Sequence, residues 1–261
     1  MWPWRLLGLL CTLGISHAQA QTPPPFSRIV PNTAFEISGQ PLLHEPSAWV
    51  HRPVRGIKPN GAQIRTEPGG ESVLQIQVSR SASALVYTLP ADASRQSPSH
   101  LLEKPWLCWR WRASAFPAGA VMGEKAGDDF AARVYLMFDY PLEKLPAFER
   151  LGLRMARLLY DASLPAATVV YLLHAGDDPA SFVTSPYTAR VKMRSVTAEP
   201  LAGQWSRVCR HVPQDFQVAF GAEFGAGVAP LQAIAVGADG DQTSAEFSAE
   251  FGDLEWRATP Y

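Results

Sequence analysis

The chain has 261 residues, of which 47% are hydrophobic and 18% are charged. Its 23 lysines and arginines nearly balance its 24 aspartates and glutamates, giving a formal net charge of −1 at pH 7. Because no basic run or patch stands out, the composition argues against nucleic acid as the main partner. The length suits one large domain or a sandwich with insertions.

Residues 1–20 have the pattern of a secretory signal peptide. Arg5 provides the positive start, an apolar run follows from Leu6 to Ile15, and Ala18-Gln19-Ala20 forms an A-x-A cleavage site. The apolar run is too short to span a bilayer, and no later stretch approaches that length. We therefore predict a mature protein that is periplasmic or secreted and has no membrane span after signal cleavage.

The mature chain is predicted to begin with a flexible Pro-rich leader over residues 21–33, followed by one domain over residues 34–261. Short strand-like runs separated by Gly and Pro turns recur through this domain. They are Ala34–Ile37, Ser72–Val78, Ala84–Leu89, Trp106–Arg112, Phe130–Phe138, Thr168–His174, Arg190–Val196, Trp205–Val212, Leu231–Ala238 and Glu246–Trp256. Many short strands with such turns are typical of an all-β sandwich.

Two predicted strands carry arginines opposite an apolar face. In one strand every second residue is apolar, namely Phe130, Ala132, Val134, Leu136 and Phe138. Arg133 and Tyr135 therefore lie on its other face, as Arg110 and Arg112 lie opposite tryptophans in residues 106–112. If the two strands are neighbours, these side chains form one platform for a ligand. In the alternative, the arginines pair inside the fold with the acidic residues Glu246, Glu250 and Asp253.

One segment breaks the β pattern and predicts an inserted amphipathic helix at about residues 145–160. Its apolar residues recur at helical spacing, at Phe148, Leu151, Met155, Leu158 and Leu159. Pro146 suits a first helical turn, and the arginines lie largely elsewhere on the wheel. We expect the apolar face to pack on the sandwich as a brace, because a domain of this size normally docks such a face. The alternative is a helix on a membrane surface. A second short helix is predicted around Asp215–Phe220.

Two cysteines remain after signal cleavage, Cys108 and Cys209. In an oxidising compartment such a pair is a disulfide candidate. Each lies in a predicted strand, so neighbouring strands would allow a bridge and distant strands would leave two buried thiols. The sequence leaves both arrangements open.

Several blocks of residues resemble one bacterial family, domain of unknown function 3047. The blocks are Trp109-Arg110-Trp111, residues 124–135, Ser185-Pro186-Tyr187-Thr188, Trp205, Asp215-Phe216, Phe220-Gly221, residues 238–243 and Phe251-Gly252-Asp253-Leu254. This chain departs from the family pattern at Gln242 and at residues 170–173. The resemblance implies an exported protein with a jelly-roll-like β-sandwich of the sugar-binding kind, built from antiparallel strands. It implies no established activity.

Two acidic clusters are candidate sites, Asp128-Asp129 and Asp239-Gly240-Asp241. Calcium takes several oxygen ligands, so Asp239 and Asp241 are candidate metal ligands, and calcium is the one cofactor that the pattern suggests. A full calcium loop needs more acids at set spacing. Asp and Gly also satisfy the hydrogen bonds of an ordinary turn. Structural turn, calcium site and direct ligand contact all remain open.

No motif in the sequence identifies a catalytic centre. The Gly-x-Ser-x-Gly elbow of many hydrolases is absent, and the histidines are scattered. A glycosidase needs two carboxylates across a cleft, but no motif selects a pair among the candidates Asp128, Asp129, Glu246 and Glu250.

The favoured hypothesis is therefore an exported non-catalytic module that binds a carbohydrate or another component of the cell envelope. Its predicted ligand-binding residues are Arg110, Arg133, Tyr135, Asp128, Asp129, Asp239 and Asp241. The alternatives are a hydrolase or lyase acting on polysaccharide through paired carboxylates, and a structural envelope protein.

Overall fold

The structure is a computed structural model that describes residues 29–30, 49–89, 101–159, 165–176 and 181–261, with the backbone alone at 29–30 and 156–159. The predicted signal peptide and the predicted strand Ala34–Ile37 lie outside the described residues. Ile29–Val30, inside the leader that we expect to be flexible, forms a short strand.

The described residues include thirteen strands and two α-helices, and residues 101–103 are also helical. The strands are β1 (Ile29–Val30), β2 (Trp49–Pro53), β3 (Gly61–Thr66), β4 (Ser72–Ser79), β5 (Ala82–Thr88), β6 (Trp106–Ala113), β7 (Ala132–Phe138), β8 (Ala167–Leu173), β9 (Val183–Thr184), β10 (Val191–Ser195), β11 (Ser206–His211), β12 (Leu231–Asp239) and β13 (Glu246–Arg257). The helices are α1 (Ala147–Leu159) and α2 (Val212–Phe224), and single 3-10 turns occur at Lys125–Gly127 and Leu142–Lys144.

The strands form two sheets that pack as a β-sandwich. The eight-stranded sheet has the order β1-β2-β5-β12-β7-β8-β10-β9, and the five-stranded sheet has the order β11-β6-β13-β4-β3. Most neighbours are antiparallel, as the sandwich prediction requires. The larger sheet is nevertheless mixed, because β1 with β2 and β8 with β10 pair in parallel.

Alternating side chains from both sheets fill the space between them. Trp109 and Trp111 of β6 point inward and are almost completely buried. Trp109 stacks on Tyr171 of β8, with 5.4 Å between ring centroids, and Trp111 meets Phe251 of β13 edge-on at 6.4 Å. Burying each such side chain contributes about 1.5–3 kcal/mol. The core therefore joins the two sheets directly.

The outer face of the eight-stranded sheet is also covered. A second small cluster of buried residues lies there, consisting of Phe130, Val170, Leu172 and Met193. Ala120, Met122 and Tyr135 pack against it, so part of the segment that joins β6 to β7 lies over this face. As a result, polar side chains on the outer face of β7 are shielded from water.

Helix α1 occurs where the sequence predicts it, but the expected orientation is wrong. Its apolar residues Phe148, Leu151 and Met155 are 86%, 60% and 47% exposed. Half-buried Glu149 and Leu153 face the protein instead. The ion pair from Glu149 to Arg190, together with the packing of Leu153 against the main core, holds the other side of the helix on the protein.

Cys108 and Cys209 are bridged. They lie directly opposite each other in the antiparallel pair of β6 and β11, with Cα atoms 4.1 Å apart. The disulfide closes a sequence separation of 101 residues. It lies on the outer face of the five-stranded sheet, because its neighbours Trp109 and Val208 belong to the core.

Candidate functional site

The structure places the predicted ligand-binding residues on two different sheets. Arg110 belongs to β6 of the five-stranded sheet, whereas Arg133 and Tyr135 belong to β7 of the eight-stranded sheet. Asp239 ends β12 beside β7. Since β6 pairs with β11 and β13 but not with β7, the condition for a single arginine platform is not met. Two separate groups of side chains result.

The first group centres on Arg133, which is buried on the outer face of the eight-stranded sheet. Gly237 is the residue opposite Arg133, and Asp239 follows two positions later on the same face of β12. Arg133 Nε donates to Asp239 Oδ1 at 2.9 Å, and a second nitrogen donates to Asp239 Oδ2. Arg133 also donates to the carbonyl oxygen of Asp128 at 2.6 Å. Its partner is thus Asp239 rather than any of the three acids expected from the sequence.

Asp129 is fully buried and closes the turn after β12. Its Oδ2 accepts hydrogen bonds from the N–H of Thr243 at 2.5 Å and from the hydroxyl of Thr243 at 2.7 Å. These contacts tie the segment before β7 to the turn that contains Asp241. They correspond to the turn role that the sequence left open for the acidic clusters.

Burial and neighbouring carboxylates raise the pKa values of Asp128 and Asp241. Burial raises the pKa of Asp128 above its ordinary value, and the charges of Asp129 and Asp241 raise it further, against the attraction of Arg133. Burial and the charge of Asp129 likewise raise the pKa of Asp241. Within the described part of the chain, one carboxylate oxygen each of Asp128 and Asp129 has no hydrogen-bond partner.

The calcium hypothesis for Asp239 and Asp241 gains no support from these positions. Both oxygens of Asp239 are engaged by Arg133, and Asp241 accepts a hydrogen bond from Gln242 at 2.6 Å. Among the residues that the structure describes, no group of three or more His, Cys, Asp or Glu side chains is arranged to hold a metal ion.

Tyr135 does not stand on an open platform. It is half-buried and packs against the small cluster that covers the eight-stranded sheet. Burial raises the pKa of its hydroxyl, although the nearby Arg133 opposes the shift. Its ring therefore contributes to packing in this structure.

The second group lies on the outer face of the five-stranded sheet. We call it the Trp205 face. Its members are Gln63, Arg65, Glu67, Gln75, Arg110, Arg112, Trp205 and Glu250. Alternation along the strands explains the grouping, since the core residues of β4, β6 and β13 lie between these positions and point the other way.

Ion pairs with three carboxylates hold Arg110 in place on this face. Its guanidinium lies 2.8 Å from Glu71, 3.3 Å from Glu67 and 3.1 Å from Asp253, measured between nitrogen and carboxylate oxygen. Gly252 stands opposite Arg110 in β13, and a Cβ atom there would lie 2.9 Å from Arg110 Nε. The register of β13 shifts between Gly252 and Glu255, and Asp253 has a φ of 53° at that bulge. The missing side chain of Gly252 and the bulge together make room for Arg110.

A row of hydrogen bonds crosses four neighbouring strands beside Arg110. Buried Glu250 accepts from Arg112, from Gln75 at 2.8 Å and from Arg65 at 3.3 Å. Gln63 donates to Gln75 at 2.7 Å. Glu250 thereby fixes two arginine head groups and an amide chain in one row.

Trp205 stands at one end of the row, immediately before β11. The guanidinium carbons of Arg110 and Arg112 lie 4.4 Å and 4.5 Å from the centroid of the indole ring. Cation–π contacts of this kind hold the ring in a defined position. Trp205 is half-buried, so part of the residue is accessible to solvent.

Sequence reasoning assigned Arg110 to a site but did not assign Trp205, Gln75 or Gln63. Alternation in Ser72–Val78 places Gln75 and Gln77 on the polar face of the strand, so the sequence pattern could have indicated Gln75. Nothing in the sequence indicated that β3 and β4 lie on the same sheet as β6.

The candidate carboxylates for catalysis lie in two different parts of the sandwich. Asp128 and Asp129 lie by the eight-stranded sheet, whereas Glu246 and Glu250 lie on the five-stranded sheet. Glu246 pairs with Arg80 at 3.0 Å and Glu250 pairs with Arg112.

Comparison with known proteins places the chain in a family. The family described as Protein of unknown function (DUF3047) matches residues 47–255, so the chain belongs to it. No curated protein matches the chain in sequence.

Two solved structures are similar in fold. One is the family 30 carbohydrate-binding module of a cellulosomal cellulase of Clostridium thermocellum, at 12% identity, 78% coverage of this chain, 87% of that chain and a TM-score of 0.36. The other is a crystal structure of a family 30 carbohydrate-binding module, at 12% identity, 81% and 82% coverage and a TM-score of 0.39. Similarity at this level concerns the fold alone.

Proposed function

Since the chain belongs to a family without an established activity, we propose from its side chains that it is an exported, non-catalytic carbohydrate-binding module. The proposed sugar site is the Trp205 face. The observation that carries the proposal is the fixed row of planar polar groups, organised by buried Glu250, beside the indole ring of Trp205.

The chemistry of this row suits a sugar. A pyranose presents a ring of hydroxyl groups that both donate and accept hydrogen bonds, and a flatter C–H face. Arginine forks and side-chain amides supply paired donors and acceptors, and an aromatic ring supplies a surface for the C–H face. The hydrogen-bonding groups are those of Arg65, Arg112 and Gln63. The aromatic surface is the indole ring of Trp205.

The row is also preorganised. The side chain of Glu250 is 7% exposed, whereas those of its partners Arg65 and Arg112 are 53% and 31% exposed. The buried carboxylate therefore holds accessible head groups from below. Groups that are fixed before binding lose less conformational entropy when the ligand arrives.

The Arg133 group is a weaker candidate for the same role. The Arg133 side chain is 5% exposed, and its hydrogen bonds go to Asp239 and Asp128. A ligand there would have to displace internal ion pairs. The buried ion pairs of the Arg133 group support a structural function for it.

A glycan array followed by calorimetry tests the proposal. We expect a defined oligosaccharide or polysaccharide to bind, and Trp205→Ala and Arg65→Ala each to weaken its affinity about tenfold, which corresponds to ~1.4 kcal/mol. Tyr187→Ala is the matched control, because it removes an exposed aromatic ring beside Lys125 rather than beside the five-stranded sheet.

Two results would contradict the proposal. Equal affinity of the wild type and both Trp205 face variants would exclude this surface as the sugar site. Absence of binding to every glycan would exclude a carbohydrate ligand and favour a structural envelope protein. Release of shortened sugars from a bound polysaccharide would favour the hydrolase or lyase.

A further inference from the structure

Helix α1 presents an apolar stripe to solvent. Phe148, Leu151 and Met155 are spaced by three and four residues and so share one side of the helix. All three are exposed, while Glu149 and Leu153 on another side contact the protein. A solvated helix of a globular protein normally has the reverse arrangement, with its apolar stripe against the core.

Specific contacts hold the helix in this orientation. Arg190 Nε lies 2.9 Å from a carboxylate oxygen of Glu149, and Arg190 Nη1 lies 2.6 Å from a carboxylate oxygen of Glu223 in α2. The side chain of Arg190 is 11% exposed, so this bridge between the two helices is largely shielded from water. Leu153 packs against the main core. The polar side of α1 is thereby fixed against the domain, and its apolar side faces outward.

Positive charge lies beside the apolar stripe. Arg150 and Arg154 occupy adjacent turns of α1, while Glu143 and Lys144, which carry opposite charges, precede the helix. Glu149, the one acidic residue in the first turn, is paired with Arg190, which also pairs with Glu223. The exposed surface of the helix thus combines large apolar side chains with the two arginines Arg150 and Arg154.

We propose that α1 binds the surface of a bilayer that contains anionic phospholipid. The helix would lie in the plane of the headgroups with Phe148, Leu151 and Met155 inserted among the acyl chains. Arg150 and Arg154 would extend to the phosphates at the edge of the stripe. A strongly amphipathic helix with an apolar face and a basic border is the pattern of helices that lie on membranes.

The size of the stripe favours a membrane over a second copy of the chain. A helix of 13 residues is about 20 Å long, and a strip about 10 Å wide covers roughly 200 Å². A stable protein interface buries about 800 Å² on each partner. Binding to a bilayer needs no such area, because each inserted apolar side chain and each arginine near the phosphates adds to the free energy of binding.

Among the described residues no helix is long and apolar enough to cross a membrane. The proposal concerns a helix that lies on the surface.

Sedimentation with lipid vesicles tests the proposal on the full chain expressed for export. The probes are vesicles of equal parts phosphatidylglycerol and phosphatidylcholine, and vesicles of phosphatidylcholine alone. We expect the wild type to partition at least about tenfold more strongly onto the anionic vesicles, since each arginine near the surface contributes on the order of a fivefold increase. Phe148→Ser/Leu151→Ser should reduce this partitioning at least about tenfold. Arg150→Gln/Arg154→Gln should remove most of the preference for anionic lipid.

The matched control is Val218→Ser, which removes an apolar side chain that is 61% exposed on α2. It should partition like the wild type. All variants change exposed or half-exposed positions, so circular dichroism should show them folded. Trp205→Ala should also partition like the wild type, which separates this proposal from the sugar site.

Three outcomes would overturn the proposal. One is equal partitioning of the wild type and Phe148→Ser/Leu151→Ser. Another is failure of the wild type to bind anionic vesicles. The third is a lipid-free dimer that Phe148→Ser/Leu151→Ser converts to a monomer in analytical ultracentrifugation, which would assign the stripe to self-association.

Discussion

Arg133 and Asp239 form a bidentate ion pair between β7 and β12, beneath the segment that leads into β7. The same Asp239 oxygen that binds Arg133 Nε also accepts the N–H of Phe130 at 2.9 Å. Burial alone would lower the pKa of Arg133, but the carboxylate of Asp239 raises it above its ordinary value. The pair therefore fixes the covering segment to the sheet.

We expect Arg133→Met to lower the free energy of unfolding by about 3–5 kcal/mol, because it leaves the Asp239 carboxylate buried without its partner. Urea unfolding measures the change. Arg80→Ala is the control, since it breaks the exposed pair with Glu246, whose side chains are 68% and 56% exposed. It should cost less than about 1 kcal/mol. A loss below that value for Arg133→Met would mean that the Asp239 pair does not stabilise the fold.

We expect Asp128→Asn to become more favourable to stability as pH rises. Burial and the charges of Asp129 and Asp241 raise the pKa of Asp128 in the folded state, against the attraction of Arg133, so the wild type takes up a proton on folding. The stability that this proton uptake gives the wild type is fully present below the pKa of Asp128 in the unfolded chain. It is lost as pH rises through the pKa of Asp128 in the folded protein. Asparagine stays neutral throughout. Calorimetry from about pH 4 to about pH 7 should show the Tm of the variant increasing relative to the wild type. A difference that is constant with pH would contradict the assignment.

Removal of the disulfide should destabilise the protein markedly. Cys108→Ser/Cys209→Ser releases a sequence separation of 101 residues, for which the chain-entropy account gives about 4–5 kcal/mol. Guanidinium unfolding under oxidising conditions measures the loss. Thiol titration of the unfolded, unreduced wild type is the control and should find neither cysteine reactive. Two reactive thiols would show that the bridge is absent in solution.

Gly252→Ala should disturb the Trp205 face from below. The new Cβ atom would lie 2.9 Å from Arg110 Nε and 3.4 Å from Val73 Cγ1, so Arg110 must move. We expect a loss of about 1–3 kcal/mol in stability and weaker binding of any ligand of this face. Gly69→Ala is the control, because its nearest foreign atom is 4.0 Å away. Equal melting temperatures for both variants would contradict the packing argument.

Much of the fold follows from local patterns. Alternation assigns Val134 to the core and Arg133 to the opposite face, and the helical spacing from Phe148 onward predicts α1. These assignments need only the period of a pleated strand or a helix, which neighbouring residues specify. The two Cys-containing strands were also found from local sequence, although their pairing was not.

What the sequence did not specify is which elements become neighbours. Arg110 and Arg133 have similar local surroundings, yet one binds Glu67 and Asp253 and the other binds Asp239, because their strands enter different sheets.

Local pattern determined which side of each strand and helix is apolar in this protein. Only the tertiary structure decided which carboxylate each arginine meets and that α1 turns its apolar side outward. Those outcomes depend on long-range contacts, such as the bridge from Arg190 to Glu149 and Glu223, which join residues far apart in the chain and leave no periodic signal in it.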